Sequence, residues 1–241
     1  MTYDDPRLAV LYDLDNPAGP EHDFFRRFAE NLGAEHIVDL GCGTGLLTVT
    51  LAEPGRTVTG IDPAAAMLER AAARPGGEAV NWVLGTGDAI APDTADLVIM
   101  SGNVAMHIIG DDWHTTLAAI ARGLRPDGRL VFEARNPAAR AWETWNDPVA
   151  ERETPVGLLR ESLTTQPPDE DGVVVMCCHN EFVDTGDALD VAQSLQFRSR
   201  EQIEADLLAA GLVTVNVWRD WAQTPFGGAE ALMVFEAARP D

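Results

Sequence analysis

The residues whose types and spacing carry chemistry most plainly lie between Ile37 and Asp62. Ile37 to Gly45 reads I-V-D-L-G-C-G-T-G, an apolar strand containing Asp39 that stops in a turn with Gly41, Gly43 and Gly45. A glycine turn at a strand end lets a ligand come up against the main chain, and a helix after it aims free N–H groups at that ligand. A second apolar run, Thr57 to Ile61, delivers Asp62 at its tip. A carboxylate so placed can accept both hydrogens of a ribose diol. Dinucleotide turns follow G-x-G-x-x-G, whose third glycine permits close packing and pyrophosphate approach. Here Leu46 stands at that third position and the spacing is G-x-G-x-G. The pattern argues for a smaller nucleoside ligand.

Other groups with chemistry lie further along. His107, His114 and His179 have side chains suited to moving a proton near neutral pH, each with the plainer alternative of a packing or surface histidine. The stretch E-A-R-N-P-A-A-R-A-W-E-T-W places Glu133, Arg135 and Asn136 after an apolar strand, where ligands of parallel sheets bind. Trp142 and Trp145, three apart, share a face of a short helix. They could wall a substrate pocket, with Arg135 orienting a polar group, or dock one part of the chain on another. Tyr12 has the same two readings. All 17 basic residues are arginine, so no lysine is available as Schiff-base former, general base or phosphate clamp. Cys42, Cys177 and Cys178 are odd in number, two of them adjacent, without the paired spacing of a zinc site. No metal is expected, and a reducing compartment is favoured over a disulfide framework.

The elements that must hold these groups follow from periodicity. Two helical pieces, Pro6 to Asp13 and Glu21 to Leu32, open the chain, separated by N-P-A-G-P, with Gly33 as the second one's stop. From 36 to 134 short apolar strands at 36–40, 57–61, 80–84, 96–101 and 128–134 alternate with helices at 46–53, 64–73 and 113–124. That alternation implies a parallel sheet covered on both faces. Residues 137–197 change character. V-V-V-M-C-C-H-N-E-F-V and A-L-D-V-A-Q-S-L-Q-F flank D-T-G-D, a hairpin signal that predicts an inserted antiparallel ribbon. A helix over Ser199 to Ala210 and two closing strands, 212–218 and 230–237, complete the chain.

The 241 residues fit one large domain with an insertion, and the net charge is −22. A surface this acidic repels phosphate backbones and anionic lipid, so neither nucleic acid nor membrane is an expected partner. The N-terminus, M-T-Y-D-D-P, has no apolar signal region, and no apolar run reaches membrane-spanning length. The expectation is a cytoplasmic protein; nothing in the sequence speaks to its oligomeric state.

At this point the motifs, in order and spacing, resemble those of the class I S-adenosylmethionine-dependent methyltransferases. V-D-L-G-C-G-T-G is similar to that family's first motif and I-D-P-A-A-A-M-L-E-R-A to its second. G-T-G-D-A-I resembles the third, and A-D-L-V-I-M-S-G-N-V-A-M-H-I the fourth strand with its loop. L-R-P-D-G-R-L-V-F-E-A-R-N-P and F-R-S-R-E-Q-I-E-A-D-L-L-A-A-G-L resemble the fifth strand and the helix before the sixth. The likeness covers about 37–136 and 197–237. It implies a Rossmann-like α/β fold with a seven-stranded sheet ordered 3-2-1-4-5-7-6, strand seven antiparallel. It also implies S-adenosyl-L-methionine as methyl donor and S-adenosyl-L-homocysteine as product.

Carried over onto this chain, the resemblance puts the backbone of Gly41, Cys42 and Gly43 against the methionine and ribose portion of the donor. Asp39 lies beneath it, ordering the turn or meeting the amino group. Asp62 takes the ribose diol, Met67 packs on the adenine, and Asp88 with Ala89 reads its edge. Ser101, Gly102 and Asn103 line the far side near the sulfonium. No catalytic motif transfers, so His107 as base, Arg135 as substrate-orienting group, and Tyr12, Trp142 and Trp145 as pocket walls rest on position alone. The implied organisation is a helical cover over 1–35, a core over 36–136 and 198–241, and a substrate lid over 137–197. The expected function is methyl transfer to a small molecule. A same-fold enzyme performing a cyclisation or rearrangement, or a non-catalytic binding module, remains open at this level.

Overall fold

A computed structural model of the chain describes residues 5–240. Two helices, α1 (Pro6–Asp15) and α2 (Pro20–Leu32), lead into β1 (His36–Leu40), β2 (Thr57–Asp62), α3 (Ala65–Ala73), β3 (Val80–Leu84) and β4 (Ala95–Met100). Next come α4 (Val104–His107), α5 (Asp111–Gly123) and β5 (Leu124–Arg135). The insertion holds β6 (Asp147–Thr154), β7 (Gly157–Thr165), β8 (Val173–Phe182) and β9 (Asp187–Gln196). The chain closes with α6 (Arg200–Ala209), β10 (Val213–Trp218) and β11 (Leu232–Ala238).

The main sheet has seven strands in the order β3-β2-β1-β4-β5-β11-β10. β11 runs antiparallel to both β5 and β10, and the other pairs are parallel. This is the expected topology and order. Central strands read as continuous apolar runs because both faces are covered; A-D-L-V-I-M in β4 is buried at all but one position. On one face α2 lays Phe24 and Phe25 against Ile37, Leu97, Ile99, Val131 and Trp218. On the other, Trp113, Leu117 and Ile120 of α5 and Ile203 and Leu207 of α6 meet Val98, Met100, Leu130 and Phe132. Each such side chain contributes about 1.5–3 kcal/mol by leaving water. Gly33 ends α2 at φ +66, and Ser199 with Gln202 forms a reciprocal capping box at the start of α6.

Four expectations need correction. The helix expected over 46–53 is only a 3-10 turn, Thr48–Leu51. Thr48, Val49 and Thr50 are β-branched, and the two hydroxyls bond elsewhere, Thr48 to Asp39 and Thr50 to the Leu47 carbonyl. The fifth strand, expected over 128–134, starts at Leu124 and takes in R-P-D-G with a left-handed kink at Asp127 (φ +63). The inserted ribbon is a four-stranded antiparallel sheet, β6-β7-β8-β9. Its first hairpin was hidden because Asp147–Thr154 is charged and contains Pro148. Ion pairs across the strands, Arg152 to Glu161 and Arg160 to Glu151 and Glu181, hold it, and β6 is an edge that tolerates proline. Finally, the helical cover over 1–35 divides. α2 belongs to the core layer, and only α1 reaches the carboxyl edge of the sheet, where it packs on α3.

Candidate functional site

The glycine turn after β1 is shaped by backbone bonds to β2. The N–H groups of Gly41 and Cys42 both donate to the Ile61 carbonyl, at 2.7 and 3.1 Å. Gly41 and Gly43 sit at φ +74 and +54. A Cβ on Gly41 would lie 2.5 Å from Val104, so the turn and the loop after β4 touch only because glycine stands there. Asp62, buried at the tip of β2, accepts from the Gly43 N–H (2.8 Å) and the Ala64 N–H (2.9 Å), one on each oxygen. Burial raises its pKa, opposed in part by those two donors. Each oxygen keeps a further lone pair for a ligand hydroxyl.

Asp39 lies under the turn, fully enclosed. Oδ2 accepts from the Thr48 hydroxyl at 2.6 Å, and Oδ1 has no partner among the described residues. Burial pushes its pKa up to about 6. The Cys42 sulfur points toward Gly60, and burial raises the thiol pKa far above its ordinary value, so this cysteine is no nucleophile.

These groups border a cavity of about 550 Å³. It is lined by eight of the residues singled out in the sequence: Tyr12, Gly41, Gly43, Asp62, Met67, Asp88, Gly102 and His107. Asp39, Cys42, Ala89, Ser101, Asn103, Arg135, Trp142 and Trp145 lie outside that lining. Tyr12 of α1 crosses the cavity. Its ring carbon is 3.8 Å from where a Gly43 Cβ would stand, and its hydroxyl is 3.8 Å from the equivalent point on Gly102. Sequence reasoning missed Val104, Ile108 and Thr116, and also Ala192, Gln193 and Ser194 of β9. The apolar loop positions carried a signal in their closeness to His107; the β9 residues carried none.

His107 opens into the cavity, where Ser194 of β9 is also part of the wall. Desolvation by the surrounding walls lowers its pKa, with the Ser194 backbone working the other way. The loop after β4 is braced from behind. Glu133 Oε1 accepts from the Asn103 N–H at 2.5 Å, and Asn103 Oδ1 accepts from Arg135 Nε at 3.2 Å. Gly102 and Asn103 are both left-handed, at φ +76 and +63. Burial pushes Glu133 up to about 7, and its Oε2 is without a partner among the described residues.

Of the two readings given for the tryptophan pair, the contacts follow the docking one. Trp142 and Trp145 both pack on Phe197, with ring centroids 4.7 and 5.6 Å away, and so dock the inserted sheet on the core. Their spacing did place them on one face, but that face meets protein. His179 pairs with Asp190 at 2.5 Å across β8 and β9, and exposed His114 is 3.9 Å from Asp206; neither lines the cavity.

Residues 37–128 match the family described as a methyltransferase domain. That match, together with the order of the sheet, supports a class I S-adenosylmethionine-dependent methyltransferase domain over those residues. A ubiquinone biosynthesis O-methyltransferase of Pectobacterium carotovorum is 31% identical over 142 residues, which cover 54% of this chain and 59% of that protein. The chain thus spans about three-fifths of that relative. A trans-aconitate 2-methyltransferase of Paracidovorax citrulli is 28% identical over 91% of this chain and 73% of its own length. Among solved structures, the CcbJ methyltransferase of Streptomyces caelestis superposes with a TM-score of 0.80 at 21% identity, covering 100% and 99% of the two chains. That likeness extends the methyltransferase fold to the inserted sheet and the terminal strands.

Proposed function

We propose that this chain transfers a methyl group from S-adenosylmethionine to a small-molecule acceptor held between the methyltransferase core and the inserted sheet. The observation that carries the reading is that one continuous cavity joins the two parts. It runs from Asp62 and the glycine turn past Tyr12 and Gly102 to β9 of the insertion. Its donor half fits the cofactor: the two glycines leave the main chain bare, Asp62 presents a buried carboxylate, and Asp39 Oδ1 lacks a donor nearby.

In this reading Asp62 holds the ribose diol, Met67 packs on the adenine, and Asp88 with Ala89 reads its edge. The backbone of Gly41 to Gly43 lies along the ribose and methionine portion, and Ser101 to Asn103 border the reacting end. Asp39 shapes the turn from below through Thr48. S-adenosylmethionine supplies an already activated methyl group, so alignment and exclusion of water account for most of the catalysis, with positioning able to contribute ~7–11 kcal/mol. Tyr12 and β9 close the cavity toward solvent. His107, kept neutral by its lowered pKa, accepts a proton at its ring nitrogen when the acceptor must lose one. Arg135, which donates from Nε to Asn103, acts from behind the cavity wall, steadying the loop after β4 that borders the acceptor.

The division into a cover, a core over 36–136 and 198–241, and a lid over 137–197 belongs to the same proposal. A small acceptor is favoured over nucleic acid by the net charge of −22. The relative named trans-aconitate 2-methyltransferase and the structural neighbour named sugar N-methyltransferase KedS8 are both named for small molecules. The three free cysteines fit a cytoplasmic setting, and no helix is long and apolar enough to cross a membrane.

Calorimetry tests the donor assignment. Asp62→Ala is expected to weaken S-adenosylhomocysteine binding 10- to 100-fold, since hydrogen bonds to a charged group are worth about 1.5–3 kcal/mol. Unchanged affinity rejects the site. Release of S-adenosylhomocysteine on incubation with carboxylate, phenol and amine acceptors tests the reaction; an acceptor consumed without that release points to another chemistry.

A further inference from the structure

Arg198 follows the inserted sheet directly and is buried at 7% exposure. Among the described residues it forms no ion pair, although the chain holds 39 acidic side chains. Asp206, the acceptor of the Trp113 indole N–H, favours the charge from a distance. Burying a cation with no carboxylate in direct contact is nonetheless costly, so its retention calls for a reason beyond packing. Its guanidinium grips the back of the cavity wall. Nη1 donates to the Ala105 carbonyl at 3.1 Å, and Nη2 to the Ile108 carbonyl at 2.7 Å and to Gln196 Oε1 at 2.5 Å. The Cζ atom lies 4.5 Å from the Trp113 ring centroid, an aromatic face that suits a cation.

The two carbonyls bracket His107 in sequence, and Val104, His107 and Ile108 all line the cavity. The same wall is held further along, where Gln196 Oε1 also accepts from the Gly110 N–H at 3.1 Å. Ser194, which lines the cavity with His107, lies on the same strand as Gln196. A planar fork sets donors on two separated nitrogens in a fixed geometry, so it reaches two carbonyls with less adjustment than a lysine, whose donors radiate from one atom. An apolar side chain offers none.

We propose that Arg198 is a positioning residue for His107, holding the carbonyls on either side of the imidazole and so fixing the cavity wall 104–109 to the base of the inserted sheet. The part of this that concerns ligand binding rests on the cavity being the cofactor site. Arg198 remains cationic at neutral pH, its pKa lowered only to about 10 by burial. A hydrophobic side chain of similar length fills the same space without the cost of a buried charge, so packing alone does not require arginine.

Arg198→Met and Arg198→Lys in the full chain test this, with three readouts: thermal midpoint, the His107 imidazole titration by NMR, and S-adenosylhomocysteine affinity by calorimetry. The His107 signal among the five histidines is assigned with His107→Gln. Arg198→Met is expected to stay folded with a midpoint within about 4 °C of wild type. Its His107 pKa should rise toward the ordinary histidine value as the wall loosens, and affinity should fall about tenfold, or 1.4 kcal/mol. Arg198→Lys should shift both in the same direction by less. A folded variant with wild-type His107 titration and affinity overturns the proposal. Should Arg198→Met not fold, the lysine variant carries the same decision, and a wild-type His107 titration in it overturns the proposal. If wild type itself does not bind S-adenosylhomocysteine, the cofactor reading fails, while the NMR titration still decides the positioning role.

Discussion

The glycine turn and the inserted sheet face each other across one cavity but are held by different physics. The turn is fastened by backbone donors: Gly41 and Cys42 on the Ile61 carbonyl, Gly43 and Ala64 on Asp62. These bonds are short-range and enclosed, and each depends on a backbone geometry that few residues adopt. The inserted sheet meets α1 through a small apolar cluster of Leu8, Leu11, Leu159, Phe182 and Val191. Around that cluster run ion pairs: Arg152 to Asp15, Arg7 to Asp187, and the ladder of Glu151, Arg160 and Glu181. One half tolerates almost no change, and the other is an adjustable surface. In the proposed function, a rigid donor site beside a replaceable acceptor wall would let one fold serve many acceptors.

The comparison breaks most sharply at Gly41. A valine there meets Val104 at 2.5 Å and must adopt φ +74. Left-handed strain of about 1–3 kcal/mol and a comparable packing cost add up, since nothing nearby can give way without moving the loop after β4. Gly41→Val is expected to abolish measurable S-adenosylhomocysteine binding and lower the thermal midpoint. A valine variant that binds normally shows that the turn is not the donor site.

On the lid side the largest effect is expected at Leu159, fully buried where β7 meets α1. Leu159→Ala should cost about 2–5 kcal/mol, most of it local to the insertion. Hydrogen exchange should quicken across β6 to β9 while β1 and β4 keep their protection. Uniform loss of protection in both sheets, instead, means that the two halves unfold as one unit.

These contrasts also explain what was legible in the sequence. Asp62, Met67 and Asp88 could be placed because their spacing from the turn is local, set by one strand and one helix. The sheet order came with the resemblance, not with the periodicity. Ser194 and Gln193 could not be found. They line the cavity because the free edge of β9 lies against α4, a consequence of packing between segments some ninety residues apart, and edge exposure leaves no local signature. Trp142 and Trp145 show the opposite failure: helical spacing said that they share a face, but not that Phe197 occupies it. The absent helix after Gly45 was misread from apolar density alone, which ignored the hydroxyls of Thr48 and Thr50.

A subtler contrast concerns the two enclosed carboxyls. Glu133, pushed up to about 7, has a folded pKa above its unfolded value near 4.5. The folded state therefore holds its proton more tightly, and stability from this group rises as pH falls through 7 toward 4.5 and is lost above 7. Asp39, at about 6, acts with the same sign over a lower window. Glu133→Gln keeps an oxygen for the Asn103 N–H and cannot ionise. It is expected to be more stable than wild type at pH 8, by on the order of 1–3 kcal/mol, with the difference shrinking by pH 5.5. Urea melts at the two pH values read it directly. A difference that grows toward low pH reverses the assigned sign.

The smallest expected effect sharpens the comparison from its soft side. Arg152 joins α1 to the insertion through Asp15 at 2.7 Å while also pairing with Glu161 at 2.7 Å. All three side chains are about a third exposed or more, so solvent screens the attraction and the entropy of holding long side chains offsets part of it. Arg152→Ala should lower stability by only about 0.5–1.5 kcal/mol at low salt. At 0.5 M salt the difference should largely vanish, because the Debye length there is only a few ångströms. Among the described residues the proposed donor site contains no exposed ion pair of this kind, so S-adenosylhomocysteine affinity should stay within about twofold of wild type. If Arg152→Ala weakens that affinity tenfold, α1 transmits strain between the two halves through its charges, and the lid is less separable from the turn than its contacts suggest.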